Sequence, residues 1–490
     1  MKKLLFFGCV LASLIGNVKT LFVDGCPIWG CRPSGSFSLY LKVPRENASI
    51  SWISDLTLDP VPNPLGCVAD SVNIVCLSNG PFKEDKGYVS LFVQNGTVHW
   101  RDRLLHFPTL PLLDNYGDVT GSDGRKLVHY DADGKTYPII KCYGLVPMFS
   151  MQLVGTDFLL LVGEQGGLVV RLTNAIPVAE IFLNDTIQNT NGTFLPISQP
   201  VVSGQRFYLL TEFVPEVDSY DPTILNLQRL YAIDINNRPA DIMTVAWSYN
   251  FEMEDDNFKF ERANSKNKQS RTMKRKEHIQ LITDNINSKQ NVMWDYSSNS
   301  VFVTLPPPYM SLSKSRNTFW IFQDMNDTVA RTFRSDSLHV THMATFEPDT
   351  YMSPDTSGLN AYIWVSTAEG MLLKLEANGM VNQSIDLNKL LNTGVEVTTN
   401  IMLTREEDGS DDVIVIGVQC PSGTVANNYI IAVLNGGQGT SSLLWKLPVP
   451  NNMQPKGQLS ASRGADLQIK DQIIFYAEES GKSARIISIH

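Results

Sequence analysis

The chain has 490 residues, of which 43% are hydrophobic and only 18% are charged. This composition allows a large buried core and excludes a globally disordered protein. The formal net charge of −10 argues against a nucleic-acid-binding protein, because such proteins need a clustered basic surface.

Residues 1–20 have the features of a secretory signal peptide. Lys2 and Lys3 form a short basic region, and the apolar stretch Leu4–Ile15 that follows is too short to span a bilayer. We find no later run of about eighteen apolar residues, the length that a membrane span needs. The sequence therefore predicts a secreted, extracellular protein without a membrane span, in which residues 21–490 form one domain.

This domain repeats one pattern, in which an apolar strand, a turn rich in Gly, Asn or Asp, and a second strand often closed by Trp follow one another. The pattern occurs at Val89–Trp100, at Leu230–Trp247 and at Ile430–Trp445. Strand–turn–strand units that recur along a whole chain indicate a β-propeller, in which each unit belongs to one blade. We therefore predict an all-β fold consisting of a single closed β-propeller.

The two ends of the chain hold strands without partners. Gln472–Ile489 lacks an outer neighbour, whereas Ser38–Val43 and Ser49–Ile53 lack inner ones. We expect both ends to complete one shared last blade, since this closes the ring and leaves no exposed sheet edge. With this blade included, the strand pairs predict eight blades, and seven is the alternative.

One segment interrupts the strand pattern. Glu252–Asp256 is acidic, and Lys259–Lys276 is basic with almost no large apolar side chains. Such a segment cannot bury enough surface to order itself, so residues 252–277 are predicted to be a disordered insertion. Within it, Lys274, Arg275 and Lys276 are interpreted as a solvated charge run, with a protease-processing site as the alternative. The only predicted helix is a short one within Asn382–Leu391.

Six cysteines follow the predicted signal peptide, which allows up to three disulfide bonds in an exported chain. Cys67 and Cys76 flank a turn that leads into an apolar strand, and Cys26 and Cys31 flank a tight segment. We predict these two local bonds. Cys142 and Cys420 belong to blades that are not neighbours, so we expect both to be free and buried.

Six N-x-S/T sequons agree with export and are candidate N-glycosylation sites. They lie at Asn47, Asn95, Asn184, Asn191, Asn326 and Asn382.

The blades resemble those of quinoprotein-type propellers, which are built from pyrroloquinoline-quinone repeats. The match is clearest where Leu230-Tyr231-Ala232-Ile233-Asp234 is followed by Ala246-Trp247-Ser248-Tyr249, and Lys126–Gly134 matches without the Trp. In an enzyme of that type, the resemblance implies a cofactor pocket at the propeller axis with a catalytic Asp and Ca²⁺. We find no motif that places those groups, and we identify no catalytic residue.

Two loops are similar to the calcium loops of integrin-type (FG-GAP) propellers, namely Gly117–Val128 and Glu406–Ile416. The resemblance implies that Ca²⁺ is the candidate ion, and no other cofactor is expected. Both loops depart from the family spacing, and Asp/Gly clusters also form plain turns. The implied ligands are Asp118, Asp123, Asp408, Asp411 and Asp412.

These observations favour a secreted, monomeric, non-enzymatic propeller that binds an extracellular protein or a matrix component. The alternative is an extracellular quinoprotein-like or hydrolytic enzyme with an axial pocket. The lining of the propeller axis distinguishes the two, because an enzyme needs an open pocket with converging charged groups.

Overall fold

A computed structural model describes most of the chain. The described residues are 25–56, 58, 65–79, 86–105, 108–114, 116–124, 126–137, 140–141, 148–155, 158–164, 166–171, 176–220, 227–235, 241–251, 273–286, 290–306, 317–347, 362–405, 412–422, 425–435, 441–464, 470–479 and 483–490.

Eight four-stranded antiparallel sheets follow one another along the chain, each beginning with its inner strand. Blade 1 consists of β3 (Cys67–Ala69), β4 (Asn73–Asn79), β5 (Lys86–Phe92) and β6 (Val98–Leu105), and blade 2 of β7 (Leu112–Leu113), β8 (Val119–Asp123), β9 (Lys126–Tyr130) and β10 (Ile140–Lys141). Blade 3 consists of β11 (Met148–Val154), β12 (Phe158–Gly163), β13 (Gly166–Arg171) and β14 (Pro177–Phe182), and blade 4 of β17 (Val201–Ser203), β18 (Arg206–Pro215), β20 (Gln228–Asp234) and β22 (Thr244–Phe251).

The second half of the ring repeats the arrangement. Blade 5 consists of β24 (Val292–Asp295), β25 (Ser300–Leu305), β26 (Thr318–Asp324) and β27 (Val329–Ser335), and blade 6 of β28 (Val340–Thr345), β29 (Tyr362–Thr367), β30 (Met371–Glu376) and β31 (Val381–Asp386). Blade 7 consists of β33 (Met402–Arg405), β34 (Val413–Ser422), β35 (Val425–Asn435) and β36 (Ser441–Pro448), and blade 8 of β37 (Gln454–Ser462), β38 (Gln472–Glu479), β39 (Ser483–Ile489) and β2 (Ile50–Ile53). The protein is an eight-bladed β-propeller.

Blade 8 is completed by both ends of the chain. Its outer strand β2 pairs antiparallel with β39, with Ile50 opposite Ile489 and Ile53 opposite Ile487. The prediction of a shared last blade is therefore confirmed.

The position of Ser38–Val43 differs from the prediction. Instead of joining the shared blade, β1 (Ser38–Tyr40) runs parallel to β33 on the channel side of blade 7. The physical reason is its burial, because Leu39, Leu41 and Val43 are all enclosed within the ring. A strand with these three side chains buried belongs inside the ring rather than at the outer edge of a blade.

The repeated Trp and Gly belong to neighbouring blades. The ring of Trp100, on the outer strand of blade 1, lies on Gly134 in the last turn of blade 2, where a Cβ would come within 2.3 Å of the indole. Gly134 also has a positive φ of 81°. Trp52 lies on Gly96 and Phe333 on Gly379 in the same way. The pattern read in the sequence is thus an inter-blade contact that needs a residue without a side chain.

Several short elements decorate the ring. They are the hairpin β15 (Asn184–Ile187) and β16 (Thr190–Pro196), the pair β19 (Ser219–Tyr220) and β23 (Met273–Lys274), the added strands β21 (Asp241–Ile242) and β32 (Glu396–Val397), the helices α1 (Arg275–Ile286) and α2 (Leu387–Leu391), and a 3₁₀ turn at Pro450–Asn452. Asp386 caps α2 by accepting from the backbone N–H groups of Asn388 and Lys389. No helix of the described part is long and apolar enough to cross a membrane.

The end of the predicted disordered insertion is ordered. Residues 252–272 lie outside the described residues, but Met273 and Lys274 form β23, and α1 begins at Arg275. The helix is held by Ile282 and His278, both buried against blade 4. The basic run therefore ends in an ordered helix, because His278 is buried and hydrogen-bonded to Glu212 of blade 4.

The described part of the chain contains two disulfide bonds, and both are local. Cys67 and Cys76 lie directly opposite each other on β3 and β4, with Cα atoms 4.4 Å apart, and Cys26 is bonded to Cys31. Cys420 is free and buried. Cys142 lies outside the described residues.

Candidate functional site

The central channel of the propeller is filled by the chain's own N-terminal part. Residues 25–43, which we call the axial segment, run around the channel in the order of the blades. Backbone hydrogen bonds of 2.8–3.1 Å join this segment to the inner strands of seven blades through Cys26–Ala461, Ala69–Cys26, Leu113–Pro27, Val202–Pro33, Trp294–Ser34, Thr345–Ser36 and Leu403–Phe37. A small ring of chain is therefore enclosed within the large one.

The axial segment is compact because of its sequence. The Cys26–Cys31 bond closes its first loop, and Gly30 lies so close to Gly35 that a Cβ would be 2.6 Å from the Gly35 Cα. The rings of Trp29 and Phe37 pack edge to face, with centroids 5.2 Å apart, and both are buried. Small residues and two aromatic rings thus let this segment fill the channel.

Two ionisable side chains, those of Glu347 and Arg32, are buried at the axis. The Glu347 carboxyl is buried, and burial raises its pKa, although nearby Arg32 and the Ser34 hydroxyl act in the opposite direction. The Glu347 N–H donates to the Ser38 hydroxyl at 3.0 Å, so this acid is bound to the axial segment. The axial segment therefore occupies the position in which the enzyme alternative needs a pocket.

The exposed apolar side chains are concentrated on one face. We call it the turn face, since it carries the turns between the first and second strands and between the third and fourth strands of each blade. Of thirteen exposed large hydrophobic residues in the described part, nine lie there: Val72, Val98, Tyr116, Tyr137, Ile176, Val245, Met325, Met380 and Val381. The opposite face has Ile53, Leu104, Phe182 and Val217.

Blade 2 combines aromatic and acidic groups on the turn face. Tyr116 is 85% exposed and Tyr137 is 47% exposed. The His129 ring lies 5.0 Å from that of Tyr137, and its Nε2 is 3.6 Å from an Asp118 oxygen. Asp133 is exposed in the same blade. We call these five residues the blade 2 surface.

Two of the predicted calcium ligands, Asp118 and Asp123, lie at opposite ends of one strand. Asp118 precedes β8 and Asp123 ends it, so about 16 Å of extended strand separates them. Asp118 instead accepts from the Ala132 N–H at 3.1 Å, and Asp412 accepts from the Arg405 guanidinium at 2.6 and 2.8 Å. Asp408 and Asp411 lie outside the described residues. Among the residues that are described, no group of three or more His, Cys, Asp or Glu side chains is placed to hold a metal.

All six sequon asparagines lie in the described part and are exposed. Two sequons face each other across the β15–β16 hairpin. The Thr186 hydroxyl donates to the Asn191 amide oxygen at 2.8 Å, and the Thr193 hydroxyl donates to that of Asn184 at 3.0 Å.

Sequence reasoning missed the axial segment and the acid that it covers. The signal was present in the Gly-, Pro- and Cys-rich composition of residues 25–36 and in a following apolar strand without a partner. It did not reveal which blades the segment contacts, because its bonds join residues up to several hundred positions apart.

No family model and no curated protein matches this sequence. Solved structures are similar in fold. They include BamB from Moraxella catarrhalis (8% identity, 91% of this chain and 97% of that chain, TM-score 0.39), the C-terminal WD40 domain of Sif2 (6%, 91% and 99%, TM-score 0.43) and BBS1N in complex with ARL6DN (9%, 91% and 97%, TM-score 0.40). At these values, the eight-blade assignment rests on the chain's own strand pairing.

Proposed function

We propose that the protein is an exported, monomeric, non-enzymatic β-propeller that binds an extracellular protein or matrix component through its turn face at blade 2. The observation that carries this proposal is the filled channel. With the axial segment bonded to seven inner strands, a partner has to bind on the outside of the ring. Within the described residues, the turn face holds most of the exposed large apolar side chains.

The blade 2 surface has the composition of a binding surface. Tyrosine is enriched among the residues that dominate interface energies, and Tyr116 presents nearly its whole side chain to solvent. The neighbouring Asp118 and Asp133 carboxylates favour a partner with a basic patch, which would associate faster at low salt.

Export is supported by the two disulfide bonds, which persist in oxidising compartments, and by the exposure of all six sequons. The enzyme alternative would require the axial segment to leave the channel, since residues of that segment cover Glu347. The quinoprotein-type resemblance of the blades therefore concerns their architecture alone.

Two matched variants test the proposal. Tyr116→Ala removes a side chain that is 85% exposed on the turn face, and Leu104→Ala removes one that is 84% exposed on the opposite face. The wild-type protein is used to capture partners from native extracellular fluid, and the purified partner is then titrated against all three proteins. We expect Tyr116→Ala to weaken binding at least tenfold, whereas Leu104→Ala should leave the Kd unchanged.

If Tyr116→Ala and the Tyr116→Ala/Tyr137→Ala double variant both bind the partner as tightly as the wild type does, the placement of the binding site on blade 2 is contradicted. Turnover of a small molecule by the purified protein would favour the enzyme alternative.

A further inference from the structure

A shallow groove lies on the turn face of blade 1. It has a volume of about 410 Å³ and is lined by Ser71, Val72, Phe92, Val93, Gln94, Asn95 and Thr97. Val72 is 54% exposed, so its apolar side chain is accessible to a ligand in the groove. The groove is therefore an apolar depression that no residue of the described part occupies, and one of its lining residues is a sequon asparagine.

The groove is held rigidly by its surroundings. The Val93 N–H donates to the Val72 carbonyl at 2.8 Å, and the Val93 carbonyl accepts from the Trp52 indole N–H at 2.7 Å. The Phe92 ring is stacked on His99 with centroids 4.2 Å apart. Because its parts are fixed in this way, a ligand that enters the groove would not have to order it first.

The sequon is part of the same turn. Phe92 and Thr97 are joined by a backbone hydrogen bond of 3.0 Å, and the Gly96 N–H donates back to the Phe92 carbonyl at 2.8 Å. The Asn95 amide oxygen accepts from the Thr97 N–H at 3.0 Å and from the Thr97 hydroxyl at 2.7 Å. The Asn95 oxygen is thus held by the backbone, which fixes the orientation of the amide nitrogen to which a glycan is attached.

We propose that Asn95 carries an N-linked glycan whose first N-acetylglucosamine packs into this groove against Phe92 and Val72. The C–H face of a sugar ring is apolar and is attracted to the electron-rich face of an aromatic ring. The glycan is the expected occupant because it is covalently attached to Asn95, which itself lines the groove. The inference rests on the proposed export, since only an exported chain meets the glycosylation machinery.

Two single-sequon proteins test this inference. In one, every sequon except that of Asn95 is removed by Asn→Gln substitution. In the matched control, only Asn47 is kept, in an exposed segment of the same face. Both are secreted from eukaryotic cells with high-mannose glycans. Each is then compared as the intact glycoform, trimmed by endoglycosidase H to a single sugar, and stripped by PNGase F, which leaves Asp.

For the Asn95 protein, we expect trimming to leave Tm unchanged and full removal to lower it by about 1–3 °C, because only the first sugar packs in the groove. For the Asn47 protein, neither treatment should matter. Val72→Ser should reduce the difference seen for Asn95, as a double-mutant cycle requires when the sugar and Val72 are in contact. The same chain produced without glycosylation, in which Asn95 remains an amide, controls for the new charge.

Equal Tm values for the trimmed and stripped Asn95 proteins would overturn the inference. An unmodified Asn95 in a secreted chain that is glycosylated at Asn47 would do the same while leaving the proposed export intact. A native protein that remains inside the cell with all six sequons unmodified would instead overturn export, and the inference with it.

Discussion

The junction between blades 4 and 5 and the junction between blades 1 and 2 join equivalent strands with different chemistry. In both, an outer-strand Trp of one blade meets the last turn of the next. At blades 4 and 5 that Trp is Trp247, whose indole N–H donates to the Asp324 carboxylate at 3.1 Å. At blades 1 and 2 it is Trp100, which stacks on Tyr130 with centroids 5.0 Å apart.

Blades 4 and 5 are joined by a largely buried ion pair between Arg206 and Asp324, which the more exposed Asp234 of blade 4 extends. The Arg206 guanidinium binds Asp234 at 2.6 and 3.0 Å and both oxygens of Asp324 at 2.8 and 2.9 Å. Tyr208 donates to the same Asp324 at 2.6 Å, and burial, together with this carboxylate, raises the tyrosine pKa. Asp324 is only 4% exposed, so its charge depends on these partners.

Blades 1 and 2 share one partly buried carboxylate, that of Asp102, which accepts from the Tyr130 hydroxyl at 2.7 Å, but they keep Asp133 in solvent. His99 is hydrogen-bonded to Asn73 at 3.2 Å and lies 3.6 Å from Asp133, whose side chain is 91% exposed. Stacked rings over Gly134 supply the packing between the two blades. The contrast suggests that one junction serves mainly to hold the ring, whereas the other can present acidic groups to a partner at little cost in stability.

The largest expected effect separates the two junctions directly. Arg206→Met leaves the Asp324 carboxylate buried without its cation, so we expect the free energy of unfolding to fall by about 3–5 kcal/mol. Asp133→Asn removes an exposed charge and should change it by less than about 0.5 kcal/mol. Urea unfolding of the two variants and the wild type measures both. Similar values for the two would show that the Arg206 network adds no more than a surface pair.

A second comparison isolates the Trp–Gly contact. Gly134→Ala places a methyl group against Trp100 at a positive φ, for which we expect a loss of about 3 kcal/mol from overpacking and backbone strain together. Gly204 also has a positive φ, of 58°, but a Cβ there would meet nothing within 4 Å. Gly204→Ala should therefore cost about 1 kcal/mol from strain alone. Equal losses in thermal unfolding would mean that the indole moves aside without penalty.

The ring itself could be predicted because its signals are local. Alternating strands, Gly turns and closing Trp residues recur within short stretches, and the strands without partners at both ends indicated closure by β2 and β39. The count of eight blades followed from pairing neighbours in the chain. These features depend on contacts between residues that are near in sequence, or on the need to pair the exposed edge of a sheet.

The remaining features depend on distant contacts. Arg206 and Asp324 are 118 positions apart, and neither lies in a motif that names the other. The axial segment is hydrogen-bonded to inner strands between Ala69 and Ala461. Its position depends on these distant partners, and no repeating sequence pattern indicates them. Helix α1 was missed because its buried His278 is hydrogen-bonded to Glu212, which lies 66 positions earlier in the chain.

A third prediction extends the contrast of buried and exposed groups to pH. Burial lowers the pKa of His342 on β28 to about 4. Between about pH 6.5 and 4, the unfolded chain therefore binds one more proton than the folded one, and the free energy of unfolding falls as the pH falls. Because the residue is partly exposed, we expect about 2 kcal/mol over this range. In His342→Gln this part of the slope should vanish, while the two proteins run parallel above pH 7. An unchanged slope in the variant would assign the pH dependence to other groups.

The smallest expected effect concerns calcium at the acidic turns of blade 2. An ion bound only by the folded protein would raise Tm in proportion to its occupancy. Ca²⁺ needs six to eight oxygen ligands, whereas Asp118 and Asp123 are separated by the length of β8 and Asp118 is engaged with Ala132 and His129. We therefore expect millimolar Ca²⁺ to leave Tm unchanged, in the wild type and in an Asp118→Asn variant alike. A rise in Tm that is lost in Asp118→Asn would show that the exposed junction gathers a cation after all, and a rise that persists in the variant would place the ion elsewhere, Asp408 and Asp411 being the next residues to substitute.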